Sequence, residues 1–294
     1  MVPYDRKPTS LIQGAVGSIS SFREAGSDSN IDLATVDAFG EEWTKFQSFD
    51  ERELSVAGDQ YFDIVTDGMV GTGSQVLDVG CGSGRWTRYL APRAGFIEAV
   101  DPSHAVLTAQ GFLADLENVR LTQAGVDELP FPNESFDFVF SLGVLHHVPD
   151  TRAAMRRCVE KLKPGGYFLV YLYYDLDNRG RLYRSLFECS TLVRRFVAGL
   201  PRRAKYAVCE AIAFSVYLPV VTAVRLLRRV PELSGLVMHL PLAYYWDKSL
   251  RIMRNDALDR FGTPPERRFK QEEMRSMMIE CGLDEIRFSE QAPY

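Results

Sequence analysis

Hydrophobic and polar positions follow one rhythm between Gln75 and Tyr173 and another after Asp175. In the first stretch, short apolar runs alternate with segments of helical spacing. Val76, Leu77 and Val79 form a run that breaks into Gly80-Cys81-Gly82-Ser83-Gly84 before a helix predicted from Arg85. Phe96 to Val100 predicts a second strand ending at Asp101, and Ser103 suits the cap of a helix running to Leu116. Val119–Ala124, Phe136–Leu142 and Tyr167–Tyr173 predict three more strands, with a helix from about Thr151 to Leu162 and a Pro164-Gly165-Gly166 turn before the last. That last run is almost continuously apolar, as a strand covered on both faces requires. Gln271–Cys281 reads as an amphipathic helix stopped by Gly282, and Asp284–Ser289 as a strand. The β-α-β-α order predicts an α/β fold with a doubly wound, mostly parallel sheet, whose ligand lies at the carboxyl ends of the strands.

After Asp175 the spacing becomes helical, basic and apolar. Residues 179–231 hold eleven basic residues against Glu188 and Glu210, a local +9. The chain as a whole carries −5, so the remainder carries −14. Ala211–Val224 is fourteen residues without a charge, interrupted by Pro219 and short of the roughly 18 to 20 that a spanning helix needs. Arg202, Arg203 and Lys205 precede it, and Arg225, Arg228 and Arg229 follow. Such flanks suit peripheral membrane contact through 202–229, a grip on an anionic acceptor, or an inserted helical cap burying its apolar face on the sheet or on a second subunit, as in a homodimer.

The expected organisation is a mobile N-terminal leader over 1–30, a core formed by 31–174 and 262–294, and an inserted helical cap over 175–261. The leader expectation rests on Ser and Gly without a sustained period. Phe39, Trp43 and Phe46 fall at helical spacing, either packing on the core or covering a ligand. With 46% hydrophobic residues the chain has ample material for a core, and its net negative charge argues against nucleic acid as a partner. Five cysteines lack paired metal spacing, so no metal site is expected and a reducing, cytoplasmic compartment is. Leu11–Ile19 carries Gln13, Ser18 and two glycines, a poor signal-peptide core.

A strand entering a glycine turn and then a helix is a nucleotide-site layout, because glycine admits a ligand close to backbone and the helix start presents free N–H groups. Dinucleotide loops read G-x-G-x-x-G, and here Arg85 stands at the sixth position, although Asp101 is suitably spaced for a ribose. The lysine and serine/threonine pair of a triphosphate loop is missing.

Four stretches taken together carry more than the turn alone: VLDVGCGSG at 76–84, Asp101 ending the second strand, LPFPNESFDFVFSLGVLHHVPD at 129–150, and LKPGGYFLVY at 162–171. Jointly they resemble the class I S-adenosylmethionine-dependent methyltransferases, nearest the small-molecule group that includes the ubiquinone and menaquinone biosynthesis enzymes. The resemblance covers about 39–174 and 269–289, leaving the insertion outside it. It implies a Rossmann-like fold and S-adenosylmethionine as cofactor, with the acceptor a small or lipid-linked molecule methylated at oxygen, such as a sugar, quinone or natural-product hydroxyl.

By the same resemblance Gly80, Cys81, Gly82 and Gly84 pass the methionine and ribose, Asp78 supports the loop or the amino group, Asp101 accepts from both ribose hydroxyls, and Pro102 packs near adenine. Leu142 and Gly143 border the sulfonium. His146 is the candidate base, its alternative being to satisfy a loop carbonyl; His147 orders the loop. Relatives often place an aspartate where this chain has Gly125, which leaves adenine to the backbone around Val126 or to Asp127. Sheets of the family usually end with one more antiparallel strand, yet Tyr294 follows soon after 284–289, so either the chain is truncated there or the last strand is absent or supplied otherwise. Two rival readings remain: a catalytically silent partner of another methyltransferase, favoured by Gly125, and a nicotinamide oxidoreductase, disfavoured by Arg85.

Overall fold

The computed structural model describes residues 1–23, 30–32, 36, 51–175, 181–230, 232, 235, 237, 240, 242–262 and 267–290. The aromatic stretch 39–46 lies outside them. The chain forms two compact units, Met1–Asp175 with Arg267–Tyr294, and Leu176–Glu266.

In the first unit the strands are β1 (Ser10–Gly14), β2 (Gly17–Ser21), β3 (Gln75–Val79), β4 (Phe96–Asp101), β5 (Val119–Gln123), β6 (Phe136–Leu142) and β7 (Leu162–Tyr171). They lie in one sheet in the order β1-β2-β5-β4-β3-β6-β7. Only the β1–β2 pair is antiparallel, so this is a mostly parallel, Rossmann-like sheet. Its helices are α1 (Glu51–Tyr61), α2 (Arg85–Leu90), α3 (Ala105–Phe112), α4 (Thr151–Val159) and, beyond the insertion, α9 (Gln271–Glu280). Apolar runs become central strands because both faces are covered. Leu77, Val79, Val100 and Val139 enter one core with Phe136, Met155 and Phe269, while their neighbours Val76, Ile97, Phe138 and Phe140 enter another with Phe62, Trp86 and Leu90. The Asp150 carboxylate caps α4 by accepting from the Ala153 N–H at 3.0 Å.

Two expectations about the sheet are corrected. Residues read as a mobile leader form the β1–β2 hairpin, which extends the sheet when Ser20 and Ser21 pair with Thr122 and Gln123 of β5. Polar residues line this segment because it is an edge; Val2, Ile19 and Phe22 are buried and anchor it, while Leu11 and Val16 stay exposed. At the other end, 284–289 forms no strand. Glu285 sits at φ 46°, which breaks an extended run, and Ile286 and Phe288 pack half-buried against the core instead. Among the described residues the hairpin extends the sheet on the β5 side, and 284–289 adds no strand to it.

The second unit contains α5 (Arg181–Ala198), α6 (Arg202–Ile212), α7 (Leu218–Leu227) and α8 (Leu250–Gly262). A π-helical turn over Ala213–Tyr217 joins α6 to α7, so Arg203–Leu227 is one continuous helix of 25 residues. Pro219 was expected to interrupt it and does not. Proline lacks an N–H and clashes in a regular α-turn, and here it follows the wider turn that relieves both demands. By length and composition alone this helix is long and apolar enough to cross a membrane. Its buried stripe, Ala213, Tyr217 and Val221, packs on Tyr245, Met253 and Ala257. The Tyr217 hydroxyl donates to Asp256 at 2.6 Å, which also pairs with Arg260, and Arg254 pairs with Glu210 at 2.7 Å.

Candidate active site

The strand order places β4 on one side of β3 and β6 on the other, so chain direction reverses its winding at β3 and a crevice opens at the carboxyl ends there. Gly80, Gly82 and Gly84 adopt φ of 85°, 54° and 85°, a region that side chains rarely enter. A side chain at Gly80 would also strike Val144, its Cβ falling 2.5 Å from the valine methyls. The turn is thus glycine for two reasons, backbone conformation and close packing of the β6 loop. Its backbone is tied across the sheet, with the Gly80 and Cys81 N–H groups donating to Val100 O at 2.7 and 3.0 Å.

Two carboxylates sit under this turn. Asp101, at the end of β4 and nearly buried, accepts from the Gly82 N–H at 2.9 Å through one oxygen. Its other oxygen accepts from the Ser103 N–H at 2.9 Å and the Ser103 hydroxyl at 2.6 Å. These bonds fix the carboxylate's orientation, and a carboxylate with about four acceptor positions retains capacity for a ligand's hydroxyls. Asp78, on β3, is buried and accepts from the Thr87 hydroxyl at 2.6 Å. Burial pushes its pKa up to about 8, the Thr87 bond opposes that, and the Asp101 charge adds to it. At neutral pH Asp78 therefore holds a proton and does not repel Asp101. The same burial, with both carboxylates nearby, holds the Cys81 thiol far above the ordinary cysteine range, so it is a packing group and not a nucleophile.

On the β5 side, the Ala124 N–H donates to Asp101 O at 3.2 Å, bringing Gly125 to the same crevice. The Gly125 N–H donates to the buried Glu128 carboxylate at 2.9 Å, and Arg23 pairs with Glu128 at 3.5 Å while reaching Pro102 O at 3.4 Å. A Cβ on Gly125 would lie 2.4 Å from Cδ1 of Ile31. The missing aspartate thus coincides with an apolar side chain filling its space. Val126 is buried beside it. The Asp127 carboxylate is occupied elsewhere, accepting from the Asn30 N–H at 3.1 Å and facing Arg157 at 3.6 Å. Arg23, Ile31 and Glu128 were not among the sequence candidates. The capping spacing of Glu128 three residues after Gly125 was the one available signal.

On the β6 side, the Ser141 hydroxyl donates to Val79 O at 2.8 Å, locking β6 to β3. Leu142 is buried and Gly143 turns with φ 78°, its N–H donating to Tyr171 O at 3.0 Å. His146 follows in a single 3₁₀ turn, buried, its ring stacked on Tyr173 with centroids 4.0 Å apart and 4.1 Å from the His147 ring. Tyr173 belongs to a chain of rings running through Tyr171 and Tyr61 to Trp86, at 5.9, 5.1 and 4.5 Å. Arg268 lies 5.5 Å over the Tyr173 ring. Among the described residues no cluster of His, Cys, Asp and Glu could hold a metal ion.

Residues 77–170 match the methyltransferase domain family. Over 125 residues the chain is 38% identical to an uncharacterised methyltransferase of Mycobacterium tuberculosis, covering 42% of this chain and 63% of that protein. Over 107 residues it is 36% identical to a demethylmenaquinone methyltransferase of Staphylococcus aureus, covering 35% of this chain and 44% of that one. The solved structure of YcgJ from Bacillus subtilis superposes with a TM-score of 0.39 at 26% identity, over 49% of this chain and 59% of the other. The chain therefore spans less than two thirds of the length of these three proteins. The matched segment, 77–170, is of the class I S-adenosylmethionine-dependent methyltransferase type. The donor set suits that cofactor. Asp101 offers acceptors to a ribose, Asp78 lies beneath the turn, and S-adenosylmethionine, having no phosphate, asks for no anion cradle.

Proposed function

We propose that this protein transfers the methyl group of S-adenosylmethionine to a hydroxyl oxygen of a small or lipid-linked acceptor. The observation that supports this most is the oriented Asp101 carboxylate under the glycine turn, inside the segment that matches methyltransferase domains. Bound there, the cofactor supplies a methyl group already activated by the sulfonium. In this reading Asp101 accepts hydrogen bonds from the ribose hydroxyls, and the backbone of Gly80 to Gly84 admits the methionine and ribose. Asp78 meets the amino group, with Cys81 as packing beneath. Pro102, Gly125 and Val126 border the adenine, with Ile31 supplying apolar contact where relatives have a carboxylate. Leu142 and Gly143 line the side of the transferred methyl. Holding the acceptor in line supplies much of the acceleration. With the methyl group supplied by the cofactor, His146, its ring held against Tyr173, would take the proton of the acceptor hydroxyl.

The test is direct binding of labelled S-adenosylmethionine. Micromolar affinity is expected, and Asp101→Ala should weaken it by more than 100-fold, since two hydrogen bonds to a charged acceptor at about 1.5–3 kcal/mol each are lost. Unchanged binding in that variant sinks the site. Gly125 and Ile31 favour one rival, a catalytically silent partner of another methyltransferase, and turnover with a panel of acceptors separates the two. The free cysteines 81, 158, 209 and 281 support a reducing, cytoplasmic location. The acceptor's lipid character is proposed from residues 202–229, through which the chain would meet a membrane, and a homodimer through the same residues is the competing arrangement.

A further inference from the structure

Of the 25 residues of Arg203–Leu227, one stripe is buried: Cys209, Ala213, Tyr217, Val221 and Val224. Steps of four would drift around a regular α-helix, and the π-turn at Ala213–Tyr217 absorbs the excess so that the stripe stays on one side. Between Ala211 and Val224 the outward face is apolar apart from two hydroxyls, and the helix's charged residues, Arg203, Lys205, Glu210 and Arg225, lie on either side of that span. Phe214 is 47% exposed, Val216 46% and Leu226 55%, with Ala211, Pro219 and Ala223 exposed between and around them. The two hydroxyls on this surface make no demand on water. Ser215 donates to Ala211 O and Thr222 to Leu218 O, each at 2.6 Å. Exposed Arg203 and Arg229 stand at the two ends. On α5, Leu192 and Phe196 are also exposed, at 64% and 71%, beside exposed Arg195.

We propose that the Arg203–Leu227 helix docks lengthwise on an anionic lipid surface, its apolar face in the headgroup–acyl boundary and its basic ends on lipid phosphates. Three observations choose this occupant. An apolar surface of this size with its hydroxyls internally bonded is unusual against water. The local charge of +9 against −14 in the remainder attracts an anionic surface to this segment and turns the rest of the chain away from it. A second copy would present the same positive charge to itself. The buried stripe excludes a spanning helix in the folded unit, because Asp256, Arg260 and the Glu210–Arg254 pair sit against it and would be carried into hydrocarbon. The inference rests on the methyltransferase reading only in giving the docking a purpose, namely access to a lipid-linked acceptor. Docking itself is measured without turnover.

The full chain is sedimented with vesicles of equimolar phosphatidylglycerol and phosphatidylcholine, and with vesicles of phosphatidylcholine alone. Binding to the anionic vesicles is expected to be at least tenfold stronger and to weaken as salt is raised. The double variant Phe214→Asp/Leu226→Asp should lose at least tenfold, and Arg203→Glu/Arg229→Glu should lose the preference for anionic vesicles. Thermal shift with S-adenosylhomocysteine is read on every variant: an unchanged shift shows an intact core, and its absence in the wild type would overturn the cofactor reading while leaving the docking result to stand by itself. Equal sedimentation of wild type and double variant overturns the proposal. So does a wild-type dimer in solution that the same variant converts to monomer, or wild-type protein that resists alkaline extraction from the vesicles as a spanning helix would.

Discussion

On the β3–β4 side of the crevice, the polar partners of the two carboxylates are near in sequence: Thr87 is nine residues from Asp78, Gly82 nineteen from Asp101, and Ser103 two. On the β5–β6 side the partners come from afar, with Arg23 reaching 79 residues to Pro102, Ile31 filling the space at Gly125, and Tyr173 stacking on His146 from beyond β7. The first half is a self-contained cradle whose form follows from its own few residues. The second is assembled from separate segments, so a change there need not disturb the turn.

The largest break in that comparison is the loss of cofactor binding expected for Asp101→Ala, which acts wholly on the near-sequence half. Next comes His146→Asn, which should lower kcat by about 100-fold, the lower range for removing a general base, with little change in cofactor affinity. It should also flatten the pH–rate profile, and a Tyr173→Leu variant should reproduce part of the loss through misplacement of the ring. A kcat unchanged in His146→Asn would make the histidine a packing group.

Gly125→Asp sharpens the comparison further. Alone it should destabilise the fold by about 1–3 kcal/mol, because its Cβ meets Ile31 at 2.4 Å. With Ile31→Ala beside it, stability should recover and S-adenosylmethionine should bind about tenfold more tightly, through a new hydrogen bond to adenine. Calorimetry on the two single variants and the double variant gives the coupling directly; strict additivity would mean that Ile31 does not occupy the aspartate's place.

The last effect is a slope. Folded Asp78 keeps its proton up to about pH 8, whereas an unfolded aspartate releases it near 3.8, so folding takes up a proton between those values. Stability should therefore fall as pH rises through that window, by at most about 1.4 kcal/mol per unit, and Asp78→Asn should remove this contribution. Urea unfolding of both proteins at pH 6 and pH 8 measures it, and parallel changes would mean that Asp78 is charged throughout.

These differences also explain what could be read from the chain. The parallel strands and the glycine turn were legible because their requirements are local: apolar runs covered on both faces, positive φ at three glycines, an acceptor closing the second strand. Ile31 and Arg23 were not legible, because nothing in their own neighbourhoods asks for a partner near residue 125. The hairpin was missed because an edge pair needs few apolar residues, and Ser20 and Ser21 look like linker until β5 is known to lie beside them. Pro219 misled because its cost was charged to a regular helix, whereas the turn before it is wider. The 284–289 run has strand-like residues and lacks only a compatible backbone at Glu285.

The hairpin's placement sets an order of events. β1 and β2 are synthesised before β5, their partner in the sheet among the described residues, which follows about a hundred residues later, after β3 and β4. Until then the two strands are an isolated hairpin, a form marginal in water, with an unpaired β2 edge. Assembly of this edge is non-local and should come late, so the waiting hairpin is the segment on which a chaperone or a folding error has most time to act.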